Sequence, residues 1–590
     1  MCGICGQFRF DGVHVSSKSL NDMMSKLSKR GPDSNGKWMQ DHVGFGHQRL
    51  SIIDLSNLGS QPMEDKTLNL TLIFNGTIYN YKKLRADLII KGYSFFSSSD
   101  TEVIIKAYHL WGEDCVKHLD GMFAFAIWNS DSKQLFIARD RMGIKPLYFN
   151  ITPKAFTFAS NTQALLTQEL DKSINPIALQ QQLSLHGVVP APNTIVNGIQ
   201  KLKPGTFVTL SADGKLQEKT YWYPNAKRLD EDISDQDYIE RTHELLTAAV
   251  MKRMSASDVP IGVLLSGGLD SSLIVALLKE AGHEDIRTFS IGFEDVDDEV
   301  GSEFEYSDQI VSRFKTQHKK YQVSNKQVLP RLSEAVLNMS EPMVGQDAIA
   351  FYLLSEQVSK HTKVVLSGQG ADEAFAGYFW YARMMSEQGS DLERFSKHYV
   401  DRPHDEYLET VTSIYRGEDH TRNWLNKEFL KPDADSFIDK VFRTDMTRLI
   451  VDDPVKRVDN MTMAWGLEAR VPFMDTDLVE WALSMPPSLK MRDEGKFPLK
   501  KISRGLLPGS VIDRKKGYFP MPALKYIQGD FLEFMSDILL SSACRNRGVF
   551  NQSYIDKVIN SPRSYMTALN GSRLWHLALL EYWFQLNVDN

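Results

Sequence analysis

Two stretches of this 590-residue chain carry residues whose types and order point to phosphate chemistry. The first is Val263-Leu264-Leu265-Ser266-Gly267-Gly268-Leu269-Asp270-Ser271-Ser272, an apolar run that breaks into a short polar loop. Gly267 and Gly268 let the backbone approach a ligand, while Ser266, Ser271 and the unpaired N–H groups of a following helix can donate to phosphate oxygens. No Gly-Lys-Ser/Thr follows the glycines and they do not form a Gly-x-Gly-x-x-Gly, so this is neither a Walker loop nor a dinucleotide fingerprint. A carboxylate such as Asp270 repels phosphate unless it holds a divalent cation that bridges to it, and Mg²⁺ suits that arrangement. The second stretch, Ser367-Gly368-Gln369-Gly370-Ala371-Asp372-Glu373, again offers glycines and a carboxylate, so Asp372 can join Asp270 on the ion. An ordinary Gly-rich turn is the plainer reading of the first loop, and the apolar runs on either side argue against it.

A different chemistry starts at Cys2, which directly follows the initiator Met1. A small residue there permits removal of Met1. Cys2 then carries a thiol nucleophile and a free α-amine that can serve as its base. A buried structural cysteine is the plainer alternative, and the residues downstream outweigh it. Arg49 sits in the apolar pattern Phe45-Gly46-His47-Gln48-Arg49-Leu50-Ser51-Ile52, where an unpaired guanidinium is costly, so it calls for a carboxylate that a substrate can supply. Asn75-Gly76 interrupts a strand pattern and presents an amide side chain beside a Gly N–H, which is what an oxyanion hole needs. The same dipeptide is also a common hairpin turn. Asp100 reads as the N-cap of a helix ending near Trp111, placed to hold an ammonium group at a pocket rim.

These residues need elements to position them. The Val263 loop lies between a buried strand and an amphipathic helix, and Thr288-Phe289-Ser290-Ile291-Gly292-Phe293 and Lys363-Val364-Val365-Leu366-Ser367-Gly368 are also strand-like with helices after them. Such alternation predicts a parallel doubly wound sheet with ligand at the strands' carboxyl ends. In the first half, the short β runs Met122–Trp128, Leu135–Asp140 and Phe156–Ser160 predict layered antiparallel sheets. Punctuation at Leu202-Lys203-Pro204-Gly205 and the charged run Lys227–Asp232 put a domain boundary in about residues 205–235. The acidic stretch Glu294–Glu305 reads as a solvated loop.

The composition, 42% hydrophobic and 24% charged, is that of a globular protein, and the length calls for two or three domains. A net charge of -7 argues against nucleic acid or an anionic membrane as the main partner and favours small polar substrates. No apolar run is long enough to span a membrane and the N-terminus lacks a leader pattern, so a cytoplasmic location is expected. Four scattered cysteines do not make a disulfide framework, and no second pair completes a zinc site with Cys2 and Cys5.

Three resemblances build on these motifs. The Ser-Gly-Gly-x-Asp-Ser loop resembles that of PP-loop ATP pyrophosphatases, which cleave ATP to AMP and pyrophosphate while adenylating a substrate. Cys2, Arg30-Gly31-Pro32-Asp33, Arg49, Asn75-Gly76, Asp100 and the Arg139-Asp140-Arg141 stretch resemble the class II, N-terminal-nucleophile glutamine amidotransferase domain. Asp459-Asn460, Gly466-Leu467-Glu468-Ala469-Arg470 and Gly495-Lys496 resemble the remaining motifs of glutamine-hydrolysing asparagine synthetases. The resemblance implies an α/β chain in two parts. An Ntn-hydrolase α-β-β-α glutaminase domain takes about residues 1–215, and an α/β PP-loop synthetase domain takes about residues 216–590. It implies that Cys2 attacks glutamine, that Asn75 and Gly76 stabilise the oxyanion, and that Arg49, Ile52 and Asp100 also contact the amino acid. For ATP it implies contacts at Leu265, Ser266, Gly267, Gly268, Asp270 and Ser271, with Ile291, Ser367 and Gly368. Mg²⁺ falls to Asp270 and Asp372, and Lys496 steadies charge on the α-phosphate.

The chain departs from that pattern at two positions. Thr77 stands where asparagine synthetases usually have Glu, so Asp100 and backbone carbonyls are left to hold glutamine's amino group. Gln369 stands where they typically have another Glu, and it cannot take a proton from ammonium. With Phe304–Asp308, Leu185–Pro192 and Asp372–Tyr381, these departures look like the branch of the family that amidates the terminal carboxylate of N-acetylglutaminylglutamine, a bacterial osmoprotectant precursor. The partners implied are glutamine, ATP and a small carboxylate acceptor, with a homodimer kept as an assembly to test. The alternatives are an asparagine synthetase acting on aspartate and, in another class, a non-catalytic binding or storage protein that keeps the glutaminase fold.

Overall fold

In the computed structural model, residues 2–229, 232–296, 300–514 and 521–589 are described. Met1, Asp230-Glu231 of the charged run and positions 297–299 of the acidic stretch lie outside them. The first half carries twelve strands: β1 Gly3–Arg9, β2 Ser34–Gln40, β3 Val43–Arg49, β4 Met63–Asp65, β5 Leu70–Ile78, β6 Gly121–Asn129, β7 Gln134–Arg139, β8 Tyr148–Ile151, β9 Ala155–Ala159, β10 Gln200–Lys201, β11 Thr206–Leu210 and β12 Leu216–Thr220. They form two six-stranded antiparallel sheets, in the orders β10-β8-β9-β1-β3-β2 and β12-β11-β7-β6-β5-β4. The helix Ser17–Ser25 packs on β1 and β3, while the helix Asp100–Trp111 packs on β5. The order of layers is therefore α-β-β-α.

Strand β6 shows why this half folds as stacked layers. Its Met122–Trp128 run has no polar positions because both of its faces are buried. Ala124, Ala126 and Trp128 join Ile4, Phe8 and Phe45 in the core between the sheets. Phe123, Phe125 and Ile127, alternating with them, pack with Val103 and Ile104 of the outer helix. Asn75-Gly76 does not interrupt its strand: β5 runs unbroken from Leu70 to Ile78, with Asn75 opposite Ala124 and Gly76 opposite Phe123. Glycine is required at position 76 because a Cβ there would lie 2.1 Å from the Met122 carbonyl oxygen.

The second half is built on β13 Ile261–Leu264, β14 Arg287–Phe293, β15 Gln317–Val323, β16 Val364–Leu366 and β17 Glu468–Arg470. All are parallel, in the order β15-β14-β13-β16-β17. The register sets Leu264 beside Phe289 and Val263 beside Leu366, so the loops leaving β13, β14 and β16 share one edge. We place the domain transition after Thr220 rather than at 215/216, because β12 hydrogen-bonds along the whole of β11. The next helix, Asp235–Ser255, opens at Ser234 with a reciprocal cap to Asp237. Among the described residues, no helix is long and apolar enough to cross a membrane, and the four cysteines are buried free thiols.

Candidate active sites

Cys2 lies just before β1, at a pocket of about 30 Å³ whose lining includes Arg49, Ile52, Gly76, Thr77 and Asp100. The Cys2 nitrogen donates to Asn75 Oδ1 at 3.0 Å. Asn75 is fully buried, and among the described residues its Nδ2 has no hydrogen-bond partner. A fixed, unsatisfied amide donor beside a nucleophile suits a developing oxyanion. Burial pushes the Cys2 thiol up, opposed in part by the Leu50 N–H and the Arg49 charge.

Two expectations about this pocket change. Asp100 is the first residue of its helix rather than the cap: Ser99 caps, accepting from Thr101 N at 3.1 Å. Asp100 Oδ2 instead accepts from Ile78 N at 3.0 Å, and burial pushes its carboxyl up to about 6. Arg49 donates to the carbonyls of Ser56, at 3.0 Å, and Asp54, so backbone oxygens already steady the guanidinium that sequence alone pairs with a carboxylate.

The second site is a crevice of about 830 Å³ at the carboxyl edge of the parallel sheet. Leu265, Ser266, Gly268, Asp270 and Ser271 line it from the β13 loop, Ile291 from β14, and Ser367, Gly368 and Asp372 from beyond β16. Gly267 is not on the wall. Its φ is +76°, and a Cβ there would come within 2.5 Å of Ser307 N, so the loop packs tightly onto the helix Phe304–Phe314. Ser266 Oγ lies 3.2 Å from Ser271 Oγ and accepts from Gly268 N at 3.2 Å, which pre-forms the curve of the loop. Lys496 Nζ sits 2.7 Å from Asp270 Oδ2 and 2.7 Å from Asp372 Oδ1. Burial disfavours its charge, but the two carboxylates hold the ammonium well above the usual lysine range. Three groups far apart in sequence thus meet at the mouth of the glycine loop. Two carboxylates beside a phosphate cradle are an all-oxygen donor set that fits Mg²⁺.

A second chamber of about 270 Å³ shares Gln369, Asp372 and Tyr378 with the crevice. Trp380, Gln346 and Arg457 also line it, with Tyr378 and Trp380 stacked at 4.0 Å. Arg457 is paired with Asp347 at 3.0 Å and with Asp453.

Buried ionic links join the two halves. Thr77 donates its hydroxyl to Glu468 Oε1 at 3.2 Å, and Arg470 Nε reaches the same oxygen at 2.5 Å. Although burial opposes its charge, the Arg470 guanidinium holds Glu468 down at about 2. The Arg470 carbonyl in turn accepts from Ser367 N at 2.9 Å, so three steps lead from the first pocket to the second loop. In parallel, Arg30 donates to the Cys2 carbonyl at 3.3 Å and pairs with Asp459 at 2.9 Å, which Lys145 also meets at 3.2 Å.

The family model for asparagine synthase matches residues 241–585, and that for a glutamine amidotransferase domain matches residues 1–222. The chain belongs to the asparagine synthase family. Its relatives include glutamine-hydrolyzing asparagine synthetase 1 of Bacillus subtilis, 31% identical over 100% of this chain and 97% of that one. A putative asparagine synthetase 2 of Methanocaldococcus jannaschii is 35% identical over 64% of this chain and 76% of its own. A protein named amidase chry2, from Gibberella zeae, is 26% identical over 84% of each chain. The chain is a carbon–nitrogen ligase of the glutamine-hydrolysing, ATP-using kind that this family comprises.

In this member of the asparagine synthase family, Cys2, Arg49, Ile52, Gly76 and Asp100 line one pocket. The crevice gathers all the residues expected there except Gly267, which supports the loop from behind. Sequence reading missed the role of Glu468 and Arg470. Two opposite charges one residue apart in a short buried strand were the available signal, since neither is affordable there alone.

Proposed function

We propose that the chain takes ammonia from glutamine at Cys2 and uses it to amidate a carboxylate adenylated in the Lys496 crevice. In the first half-reaction the Cys2 thiol adds to the glutamine amide, Asn75 Nδ2 and the Gly76 N–H stabilise the oxyanion, and ammonia leaves as a thioester forms. Water then releases glutamate. Arg49 would hold the α-carboxylate of glutamine and Asp100 its ammonium group. In the second half-reaction Ser266, Gly268, Ser271, Ser367 and Gly368 cradle the phosphates of ATP, and the acceptor carboxylate displaces pyrophosphate to form an acyl-adenylate. Asp270 and Asp372 would hold Mg²⁺, which supplies charge neutralisation on the departing pyrophosphate. Lys496 stands beside both carboxylates, where its ammonium can move onto the α-phosphate oxygens. Ammonia then displaces AMP to give the amide. Confinement between the sites is needed because ammonia in neutral water is mostly ammonium, which is not nucleophilic.

For the acceptor we propose the terminal carboxylate of N-acetylglutaminylglutamine. The observation that carries this reading is the second chamber: it shares Gln369, Asp372 and Tyr378 with the crevice and is lined by stacked aromatic rings, giving room next to a reacting carboxylate. Amide groups of a dipeptide find donors and acceptors there in Gln346 and Gln369. Aspartate, the acceptor of an asparagine synthetase, is the second reading, favoured by the names of the relatives. The deciding measurement is AMP and pyrophosphate release with ATP, Mg²⁺ and glutamine, offering aspartate or the dipeptide. Release with the dipeptide alone, and a product carrying a terminal amide by mass, is the expected result. Release with aspartate alone would make the chain an asparagine synthetase.

A further inference from the structure

Away from the Cys2 pocket and the Lys496 crevice, and at the edge of the second chamber, three groups with strong affinity for transition metals converge on one point. His186 follows the helix Pro176–Ser184, Asp401 follows the helix Asp391–Tyr399, and His576 lies in the first turn of the helix Arg573–Asn587. His186 Nδ1 is 2.8 Å from Asp401 Oδ2, and His576 Nδ1 is 3.9 Å from the same oxygen. One ligand atom from each residue falls within 4.8 Å of the others. The two imidazole rings meet edge to face, 5.3 Å apart.

We propose that His186, Asp401 and His576 form a binding site for one divalent transition-metal ion of the zinc class. Two imidazoles and one carboxylate are a donor set that such ions favour over Mg²⁺ or Ca²⁺, and three protein ligands leave a coordination position open. Three further observations point the same way.

First, His576 is 2% exposed, and among the described residues neither of its ring nitrogens has a hydrogen-bond partner. A buried imidazole with both nitrogens unanswered is costly, and an ion answers one of them. Second, Asp401 is buried, and among the described residues its Oδ1 has no hydrogen-bond partner, so one carboxylate oxygen is left for an ion. Third, His186 has φ +53°, a conformation uncommon outside glycine, and it is this backbone that carries the imidazole to Asp401.

Donors at about 2.0–2.2 Å from a tetrahedral ion lie about 3.3–3.6 Å apart, so a pair at the 4.8 Å limit would close by about 1.2 Å and the 2.8 Å His186–Asp401 pair would open by about half an ångström. The nearby guanidinium groups of Arg402 and Arg573 are both paired with Glu406, which limits their opposition to a cation. Access is available as well. His186 and Gly571 line the second chamber, which shares Gln369, Asp372 and Tyr378 with the synthetase crevice. The site ties a segment of the first half to the C-terminal helix whatever the acceptor is.

The test uses the full chain as Cys2→Ala, so that the thiol does not compete, stripped with chelator and free of Mg²⁺ and ATP. Titration with Co²⁺ should give visible absorption bands of nitrogen–oxygen ligation, and Zn²⁺ should abolish them at one equivalent per chain. His186 is partly exposed, so His186→Ala should fold, as checked by circular dichroism, while losing at least about 100-fold in affinity. His576→Gln should lose the bands too, whereas Asp270→Asn should keep them, separating this site from the crevice. Absence of bands, or equal affinity in the parent and His186→Ala chains, would overturn the proposal and leave a plain His–Asp ion pair.

Discussion

The Cys2 pocket and the Lys496 crevice differ in size by more than an order of magnitude, about 30 Å³ against about 830 Å³, and they hold their reactive groups in different ways. At Cys2 the groups are held by backbone: Asn75 by the Cys2 nitrogen, Asp100 by Ile78 N, and Arg49 by two carbonyls. At Lys496 the groups hold each other, one ammonium between two carboxylates. A backbone-held pocket is rigid and suits a small zwitterion of fixed shape. A set of side-chain ion pairs can instead be exchanged for ligand charges, which suits a polyanion arriving with a cation. The two regions therefore answer to different perturbations.

The largest separation should come from crossing two variants. Cys2→Ala should lower glutamine-driven amide formation by at least about 10³-fold while ammonium-driven AMP release stays within about twofold. Lys496→Met should do the reverse, cutting AMP release by about 10²–10³-fold and sparing glutamine hydrolysis. Loss of both activities in either variant would break the comparison, because it would mean that the sites are not separable.

A smaller effect concerns pH. Burial lifts the Asp100 carboxyl to about 6, and a glutamine ammonium group needs its charged form. As pH falls below 6 the group protonates, so KM for glutamine should rise by up to about tenfold per pH unit with little change in kcat. Asp100→Asn should raise KM at every pH and flatten the profile. An unchanged slope in that variant would remove Asp100 from glutamine binding.

The smallest effect tests the link between the regions. Thr77→Val removes a hydroxyl from Glu468, whose carboxylate keeps Arg470, so the cost should be about 1 kcal/mol in thermal unfolding. Glu468→Gln is predicted to cost about 3–5 kcal/mol, because it removes the counter-charge of the buried Arg470, whose remaining partners include the carbonyls of Arg253 and Ala256. If the two variants cost the same, the Thr77 contact carries more of the domain junction than the geometry assigns to it.

Much of this was legible in the chain itself. A strand, a glycine loop and a helix around Asp270 have fixed local geometry, so a phosphate cradle can be read from consecutive residues. The apolar run Met122–Trp128 read as a strand of layered sheets, and the structure adds that both of its faces are buried. The helix cap was misread by one residue because Ser99 and Asp100 are both good capping residues, and packing against Ile78 decided between them. Asn75-Gly76 has the composition of a hairpin turn, and only its pairing with β6 keeps the strand straight.

The sequence by itself determined the elements and the family and named the candidate reactive residues, because these depend on contiguous pattern and side-chain chemistry. The tertiary structure alone decided which distant groups share a point: Thr77 with Glu468, Lys496 with Asp270 and Asp372, His186 with Asp401 and His576. Each contact joins positions more than a hundred residues apart at least once, and the few ångströms that make an ion pair or a ligand set follow from how sheets and helices stack. Chain order carries no record of that distance until the core is packed.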